Sequence, residues 1–145
     1  MSDSPWDYSP GFLLWHAALR WQRQVTAVLK PLDLTHVQFV LLAGSWWLGR
    51  GGEPPSQREL ADHSGTDAMM TSQVVRALEG KGLLHRRPDP ADSRVKRLYV
   101  TEGGQALARK AIEAVEAADR AYFQQAEHPE TLITQLRSLA GPPGD

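Results

Sequence analysis

Residues 56–104 read SQRELADHSGTDAMMTSQVVRALEGKGLLHRRPDPADSRVKRLYVTEGG, a run that predicts a helix, a turn, a second helix and then two strands separated by a loop. Ser56 and Glu59 have the spacing of a capping box and precede apolar residues, which predicts a short helix over 57–63. Gly65 then ends this helix, because glycine readily adopts the left-handed conformation that terminates helices.

The second helix starts at Thr66 or Asp67, since either side chain can accept a hydrogen bond from the free N–H groups of a first turn. It is expected to end at Gly80 or Gly82. Its inner face, at helical spacing, consists of Thr71, Val74, Val75 and Leu78. Its outer face is small, polar or basic and consists of Ala68, Met69, Ser72, Gln73 and Arg76. Two helices joined by such a turn form a helix-turn-helix, whose second helix enters the major groove of DNA.

A β-hairpin is expected after the second helix. Leu83 and Leu84 lead into one strand, and residues 95–100 form the other, with Leu98 and Val100 on its inner face. The intervening PDPADSR contains the prolines and aspartates of a turn, so the hairpin lies beside the helix-turn-helix as a wing. Its basic residues are Arg86, Arg87, Arg94, Lys96 and Arg97.

Apolar helices flank this segment on both sides. Residues 11–30 predict a helix with a wide apolar stripe, and a capping box at Thr35 and Gln38 opens a nearly all-apolar helix at the centre of the core. Residues 102–127 predict a long helix, and 130–140 a short amphipathic one. The apolar face of the long helix comprises Ala106, Leu107, Ala111, Ile112, Val115, Ala118, Tyr122 and Phe123. One small domain has little with which to cover so much apolar surface, so part of it is expected to meet another chain.

Composition limits the function classes. The 145 residues include no cysteine, which excludes disulfides and thiolate metal sites from this chain. We see no signal-peptide pattern and no apolar run near ~18 residues, so we expect a cytoplasmic protein without a membrane span. The five histidines lack metal-ligand spacing, and no catalytic constellation or phosphate loop stands out. We therefore expect no enzyme, metal or cofactor.

Charge is distributed unevenly although the net charge is only −1. Between Arg76 and Arg97, seven basic residues accompany three acidic ones, whereas from Ile112 onward six acidic residues accompany two arginines. Such asymmetry directs one end of a molecule towards a polyanion and keeps the other end away from it. On charge alone, a solvated basic face explains the pattern equally well.

The run VVRALEGKGLLHRRPDPADSRVKRLYVTEGG resembles the MarR family of bacterial transcription regulators, with the signature V-x-x-LE-x-x-GL-x-x-R-x-x-x-x-x-D-x-R-x-x-x-x-x-LT-x-x-G. LTHVQFVLL at 34–42 and SQRELA at 56–61 match as well, while Val100 stands at the Leu of the LT pair. The resemblance implies a homodimer of winged helix-turn-helix subunits that represses or activates genes. It also implies release of DNA when a small, often aromatic or phenolic, ligand binds.

Carried over by position, Arg94 is the wing-tip arginine that enters the minor groove, and Asp92 is the acid that orients it. Residues 69–73 with Arg76 are implied to face bases and phosphates, and the N- and C-terminal helices to form the dimer interface. The predicted DNA-binding residues are Ala68, Met69, Met70, Ser72, Gln73, Arg76, Arg86, Arg87, Asp92, Arg94, Lys96 and Arg97. The alternative for Arg94 is an ion pair with Asp92 that only stiffens the hairpin.

The chemistry of these side chains divides their roles. Gln73 suits adenine, Arg76 suits guanine or phosphate, and Ser72 can reach either; the alternative for each of them is a solvated side chain without a DNA contact. Family members often have Ser or Thr where this chain has Met69 and Met70, so contact with a thymine methyl replaces a hydrogen bond there. The wing residues expected on phosphates, which add affinity without sequence information, are Arg86, Arg87, Lys96 and Arg97.

A ligand pocket is a further expectation. Trp15, His16, Trp46 and Trp47 can line a space between the dimer helices and the winged domain, where the family binds its effectors, with Arg20 as partner for an anion. The alternative is that these aromatic side chains belong to the core.

The sequence therefore predicts a mainly α fold with a small β-hairpin wing, forming one domain over 1–145. Residues 35–100 form the winged helix-turn-helix, and 10–34 with 101–140 form the dimerisation helices. The predicted function is a sequence-specific, double-stranded DNA-binding regulator, a repressor released by a small molecule, acting on a pseudo-palindromic operator and nucleoid-associated when bound. The alternatives are a winged-helix protein-interaction module, and a ligand sensor whose effector does not alter DNA binding.

Overall fold

The computed structural model describes residues 3–142, so the ends of the predicted domain, 1–2 and 143–145, lie outside it. Its helices and strands are α1 Pro10–Leu29, α2 His36–Gly49, α3 Gln57–Ser64, α4 Ala68–Gly80, β1 Leu84–Pro88, β2 Lys96–Val100, α5 Glu102–Phe123 and α6 Pro129–Ala140. Single 3-10 turns lie at Pro5–Asp7 and Lys30–Leu32. The predicted winged helix-turn-helix between flanking helices is confirmed.

The central helix is α2, as predicted. Its capping box is complete, since the Gln38 N–H donates to Thr35 Oγ1 (3.2 Å) and the Thr35 N–H donates to Gln38 Oε1 (3.2 Å). Leu41 and Leu42 are fully buried among residues of the neighbouring helices and β2. An almost uniformly apolar helix is stable in this position because α1, α3, α4, α5 and β2 all pack on it, although Trp47 stays 48% exposed.

The helix-turn-helix forms where the sequence predicts it. Ser56 caps α3 by accepting from the Glu59 N–H (3.0 Å), Gly65 ends α3 with a φ of 70°, and Asp67 caps α4 by accepting from the Met70 N–H (2.7 Å). The predicted capping box at Ser56 is only half correct. The Glu59 carboxylate instead pairs with Arg97 of the wing at 3.2 Å, because a charged partner offers a stronger hydrogen bond than a neutral backbone N–H.

The wing is an antiparallel hairpin in which Leu84 pairs with Val100 and Arg87 pairs with Arg97. Leu84 and Leu98 are buried on the face of the hairpin that packs on the core; Arg86 and Lys96 lie nearer the turn on that same face, and Arg87 and Arg97 lie on the other. This alternation fixes the register, since a shift by one residue would expose the leucines.

The long helix α5 packs along α1. The Trp21 Nε1–H donates to Asp119 (2.8 Å), and the Tyr122 hydroxyl donates to the Ala17 carbonyl (2.9 Å). Two expectations for α5 are wrong. The helix ends at Phe123 instead of near 127, and the residues that follow form turns up to Pro129, before which the α conformation is disfavoured. Ala106 is exposed because the buried stripe is instead Gly104, Ala108, Ala111 and Val115.

The last helix, α6, has no buried residue. Ile133 is 69% exposed and Leu139 80% exposed, so its apolar side is uncovered within one chain. Leu14 and Trp15 of α1 are exposed in the same way. The exposed apolar side chains of α1 and α6 form the kind of surface that the sequence predicts to contact another chain.

None of the described helices is, on its own, long and apolar enough to span a membrane. Two consecutive stretches, Pro10–Leu32 and His36–Gly49, reach that length and hydropathy only together, and they are bent by 74° where they meet.

Candidate nucleic-acid interface

The outer face of α4 is open to solvent. Met69 is 73% exposed and Met70 44% exposed, and Ala68, Gln73 and Arg76 are exposed beside them. The inner face is fixed by burial of Thr71, Val75 and Leu78. The helix therefore presents two thioethers, an amide and a guanidinium on one accessible surface, which suits apolar and hydrogen-bonding contacts with base edges.

Ser72 lies at the border of this face and is already engaged. Its Oγ lies 3.3 Å from Arg76 Nη2 and 3.3 Å from Arg86 Nη1, and both arginines donate to it. Its lone pairs are thus directed at two guanidinium groups. Thr71, which lies within the range 69–73 that the resemblance implies to face DNA, is fully buried on the inner face, and of the remaining recognition residues Ser72 is the least accessible to a base.

The tip of the wing holds Arg94 in a fixed direction. Its Nε and Nη2 donate to the two oxygens of Asp92 at 3.0 and 3.1 Å, and its backbone N–H donates to the same carboxylate at 3.1 Å. Hydrogen bonding from Arg94 lowers the pKa of Asp92 below its ordinary range. The Arg94 side chain is still 89% exposed, so the carboxylate orients the guanidinium without covering it.

Arg97 lies on β2 one residue pair away from the wing turn, and its side chain turns towards α3. Its Nε donates to Asp89 Oδ2 at 2.8 Å, and its Nη1 donates to Glu59 Oε1 at 3.2 Å and to the Pro54 carbonyl at 3.3 Å. Its side chain is only 21% exposed, and that of Asp89 16%. Hydrogen bonding from Arg97 is the main reason that the pKa of Asp89 is lowered. The side chain that the sequence predicts to contact phosphate therefore already donates to three acceptors within the protein.

Arg86 is likewise surrounded by protein groups. Its Nη1 donates to Gln57 Oε1 and to Ser72 Oγ, each at 3.3 Å, and its Nε lies 3.5 Å from Glu79. The side chain therefore ties β1 to both helices of the helix-turn-helix. No local feature of the sequence marks these partners, nor Glu59 for Arg97, because they lie between 7 and 38 residues away along the chain.

Arg87 and Lys96 differ from these two arginines. Both are exposed on the hairpin, and within residues 3–142 no carboxylate lies within ion-pair distance of either. Unpaired cations at the edge of a wing suit phosphate contacts, which need charge and reach more than geometry.

The predicted ligand residues separate into two groups. His16 packs on Trp6 and Phe12 at ring distances of 4.7 and 4.5 Å, and Trp15 and Arg20 are exposed on α1. The other group is on α2, where a cavity of about 360 Å³ is lined by Phe39, Val40, Ala43, Gly44, Trp46, Trp47, His63, Ser64 and Ile112.

Trp15, His16 and Arg20 do not line this cavity in the described part of one chain. The Oγ of Ser64 in the α2 cavity is a buried polar atom that lacks a hydrogen-bond partner in the described part of the chain. The Arg50 guanidinium lies over the Trp47 ring, 3.4 Å from the ring centroid.

An exposed second helix, a hairpin with an outward arginine and a core formed by α2 together define a winged helix-turn-helix protein of the DNA-binding class. The MarR family model matches residues 34–96. YdcH of Bacillus subtilis, named an uncharacterized HTH-type transcriptional regulator, is 44% identical over 131 residues, which cover 90% of this chain and 89% of the relative. The chain belongs to the MarR family.

Two further proteins are similar over most of their length. The HTH-type transcriptional repressor Rv2887 of Mycobacterium tuberculosis is 32% identical over 109 residues, covering 75% of this chain and 76% of that protein. The crystal structure of CouR from Rhodococcus jostii RHA1 bound to p-coumaroyl-CoA has a TM-score of 0.81 and 30% identity, covering 96% of this chain and 93% of that one. The predicted function class, a transcription regulator of the MarR family and not an enzyme, is confirmed.

Proposed function

We propose that two copies of this chain form a dimer that represses transcription by binding a pseudo-palindromic operator, and that a small molecule releases it. The observation that carries the DNA-binding part is Arg94, which is 89% exposed while both oxygens of Asp92 fix its direction. A planar, weakly hydrated guanidinium held outward at a wing tip suits the narrow minor groove, where negative potential is concentrated.

The outer face of α4 occupies the adjacent major groove in this proposal. Gln73 and Arg76 contact base edges or phosphates, and Met69 and Met70 contact thymine methyl groups. Arg87 and Lys96 extend the contact along the phosphate backbone, where each adds salt-dependent affinity.

The dimer is supported by the uncovered apolar surfaces of α1 and α6. In this proposal they pack against the same helices of a second copy, which places the two α4 helices about 34–36 Å apart for half-sites one helical turn apart. The protein is then associated with the nucleoid while it is bound to DNA.

Repression and release are supported by the relatives. Rv2887 is named a repressor, and CouR was crystallised with an aromatic acyl-CoA. For this chain we infer an aromatic or phenolic effector in the α2 cavity of about 360 Å³ beside Trp46 and Trp47. In this inference Trp15, His16 and Arg20 line it only when the dimer brings the partner's copy of α1 close.

Fluorescence anisotropy tests the DNA-binding part. The labelled duplex is one enriched from a randomised library by the wild-type protein, and a scrambled duplex of the same composition is measured beside it across a salt series. Arg94→Ala should weaken binding to the enriched duplex by about 1–3 kcal/mol. Arg109→Ala removes the same charge from the exposed side of α5 and should leave the affinity almost unchanged.

The outcomes separate the candidate functions. Equal affinity of the wild-type protein and Arg94→Ala for the enriched duplex would remove the minor-groove role. Failure of the library to yield a preferred duplex, with only weak and equally salt-sensitive binding, would favour a winged helix that binds a protein partner. A phenol that quenches tryptophan fluorescence without changing DNA affinity would favour a sensor.

A further inference from the structure

Arg97 joins three separate parts of the chain. From β2 it donates to the Pro54 carbonyl before α3, to the Glu59 carboxylate on α3, and to Asp89 at the start of the wing turn. A bridge between Ser56 and Arg97 and a hydrogen bond from the Leu98 N–H to the Pro55 carbonyl (2.9 Å) hold the backbones together at the same place. The turn-proximal part of β2 is thereby fastened to the segment that opens the helix-turn-helix.

Asp89 continues the connection into the wing turn. Its Oδ2 accepts from Arg97, while its Oδ1 accepts the backbone N–H of Ala91 at 2.8 Å and that of Asp92 at 3.1 Å. The backbone closes the loop, since the Val95 N–H donates to the Asp92 carbonyl at 3.0 Å. One carboxylate therefore binds both the Arg97 guanidinium of β2 and the two amides that shape the wing tip.

The last link is Asp92, the residue that orients Arg94. Its backbone N–H is held by Asp89 and its carboxylate holds the Arg94 guanidinium. The contacts thus run without interruption from α3 through Arg97, Asp89 and Asp92 to Arg94.

We propose that Arg97 and Asp89 are positioning residues that set the direction of Arg94 for DNA binding, and that Arg97 does not act as a phosphate contact. The inference rests on the proposed DNA-binding function and assigns a role to an acid that no sequence motif marks. Arg97 suits it because a guanidinium can donate to three acceptors in fixed directions, whereas an ammonium is a point charge on a flexible stem.

The direction in which Asp89→Asn changes DNA affinity distinguishes a positioning role from simple electrostatics. Asp89→Asn removes a negative charge from a surface that faces a polyanion, so electrostatics alone predicts unchanged or tighter binding. Loss of the Arg97 ion pair and of a carboxylate acceptor loosens the wing turn, so positioning predicts weaker binding. Glu113→Gln on the exposed side of α5 makes the same charge change away from the wing and serves as the control.

The binding experiment uses the full chain and the duplex enriched from the randomised library. Asp89→Asn should bind it roughly fivefold or more weakly, because part of the Arg94 contact is lost. In a protein that already carries Arg94→Ala, Asp89→Asn should cause no further loss, since two residues that act through one contact are not additive. Arg97→Lys keeps the charge and should weaken binding like Asp89→Asn, whereas a phosphate contact would tolerate lysine.

A second measurement tests how well the wing is ordered in the absence of DNA. Hydrogen–deuterium exchange at the amides of residues 91–95 should be faster in Asp89→Asn and Arg97→Lys than in wild type or Glu113→Gln, while exchange in α2 stays unchanged in all four. The unchanged α2 amides show that the variants are folded.

Each result decides the inference. Tighter or unchanged DNA binding by Asp89→Asn, additivity with Arg94→Ala, or unaltered wing exchange would overturn it. A wild-type protein that selects no duplex would contradict the proposed function and the DNA role of Arg94 together, whereas the exchange rates would still decide whether Arg97 and Asp89 order the wing.

Discussion

Gly104, in the first turn of α5, provides a stringent test of the packing between the wing and the long helix. A Cβ added there would lie 1.9 Å from the Leu83 carbonyl oxygen and 3.0 Å from Val100 Cγ1. That carbonyl cannot easily retreat, because it accepts the Thr101 N–H at 3.1 Å. Overpacking costs about 1–3 kcal/mol and loss of the hydrogen bond about 1 kcal/mol, against a helix-propensity gain of at most about 1 kcal/mol. We expect Gly104→Ala to lower the free energy of unfolding by about 2 kcal/mol.

Gly103 is the matched control, since an added Cβ there meets nothing closer than Thr101 Oγ1 at 3.9 Å. Gly103→Ala should be neutral or stabilise the protein by up to about 1 kcal/mol, because alanine favours the helix. Urea unfolding followed by far-UV circular dichroism measures both variants at one fixed protein concentration, because association shifts apparent stability. A Gly104→Ala protein as stable as Gly103→Ala would refute the close packing of α5 on Leu83.

Two other substitutions test the recognition helix and the core. Asp67→Ala should lower the free energy of unfolding by about 1 kcal/mol in urea, because the Met70 N–H loses its acceptor, and Asp67→Ser should restore most of it; equal stability of all three proteins would exclude the cap. Burial lowers the pKa of His36 from its ordinary value of about 6.5, against the opposing charge of Asp119. As the pH falls below about 6.5, the unfolded chain therefore binds a proton first and stability is lost. Chemical unfolding from pH 7.5 to 5 should show this loss reduced in His36→Gln, and identical pH profiles would contradict it.

The sequence predicted best the features whose physical causes are local. The caps at Thr35 and Ser56 are identified by the Gln or Glu three positions further on, whereas for α4 the sequence leaves Thr66 and Asp67 as alternatives and the structure has Asp67. The burial of Leu98 and the partial burial of Val100 followed from alternation along β2.

The errors concern features that depend on distant parts of the chain. Glu59 has the right spacing for a capping box, but Arg97, 38 residues away, attracts its carboxylate. Ala108 is buried and Ala106 exposed because the stripe of α5 is set by the helices it meets, and the short side chains of this helix mark several faces equally well. The packing of His16 on Trp6 within one chain is a further contact that the order of residues does not reveal, and it leaves the predicted ligand role of His16 untested.

The difference between local and distant contacts also decides how much each basic residue of the wing contributes to DNA binding. In the sequence the four arginines of the hairpin are equivalent cations, and a count of charges would assign each a phosphate and about 0.9 of a unit in the salt slope. In the structure, Arg86 and Arg97 are each bound to a carboxylate and to groups of the helix-turn-helix. Moving either onto a phosphate would leave Glu79, or Asp89 and Glu59, without its partner beside a polyanion. The net electrostatic gain from these two arginines is therefore small, and the salt dependence of binding should come mainly from Arg87, Lys96 and the exposed Arg76.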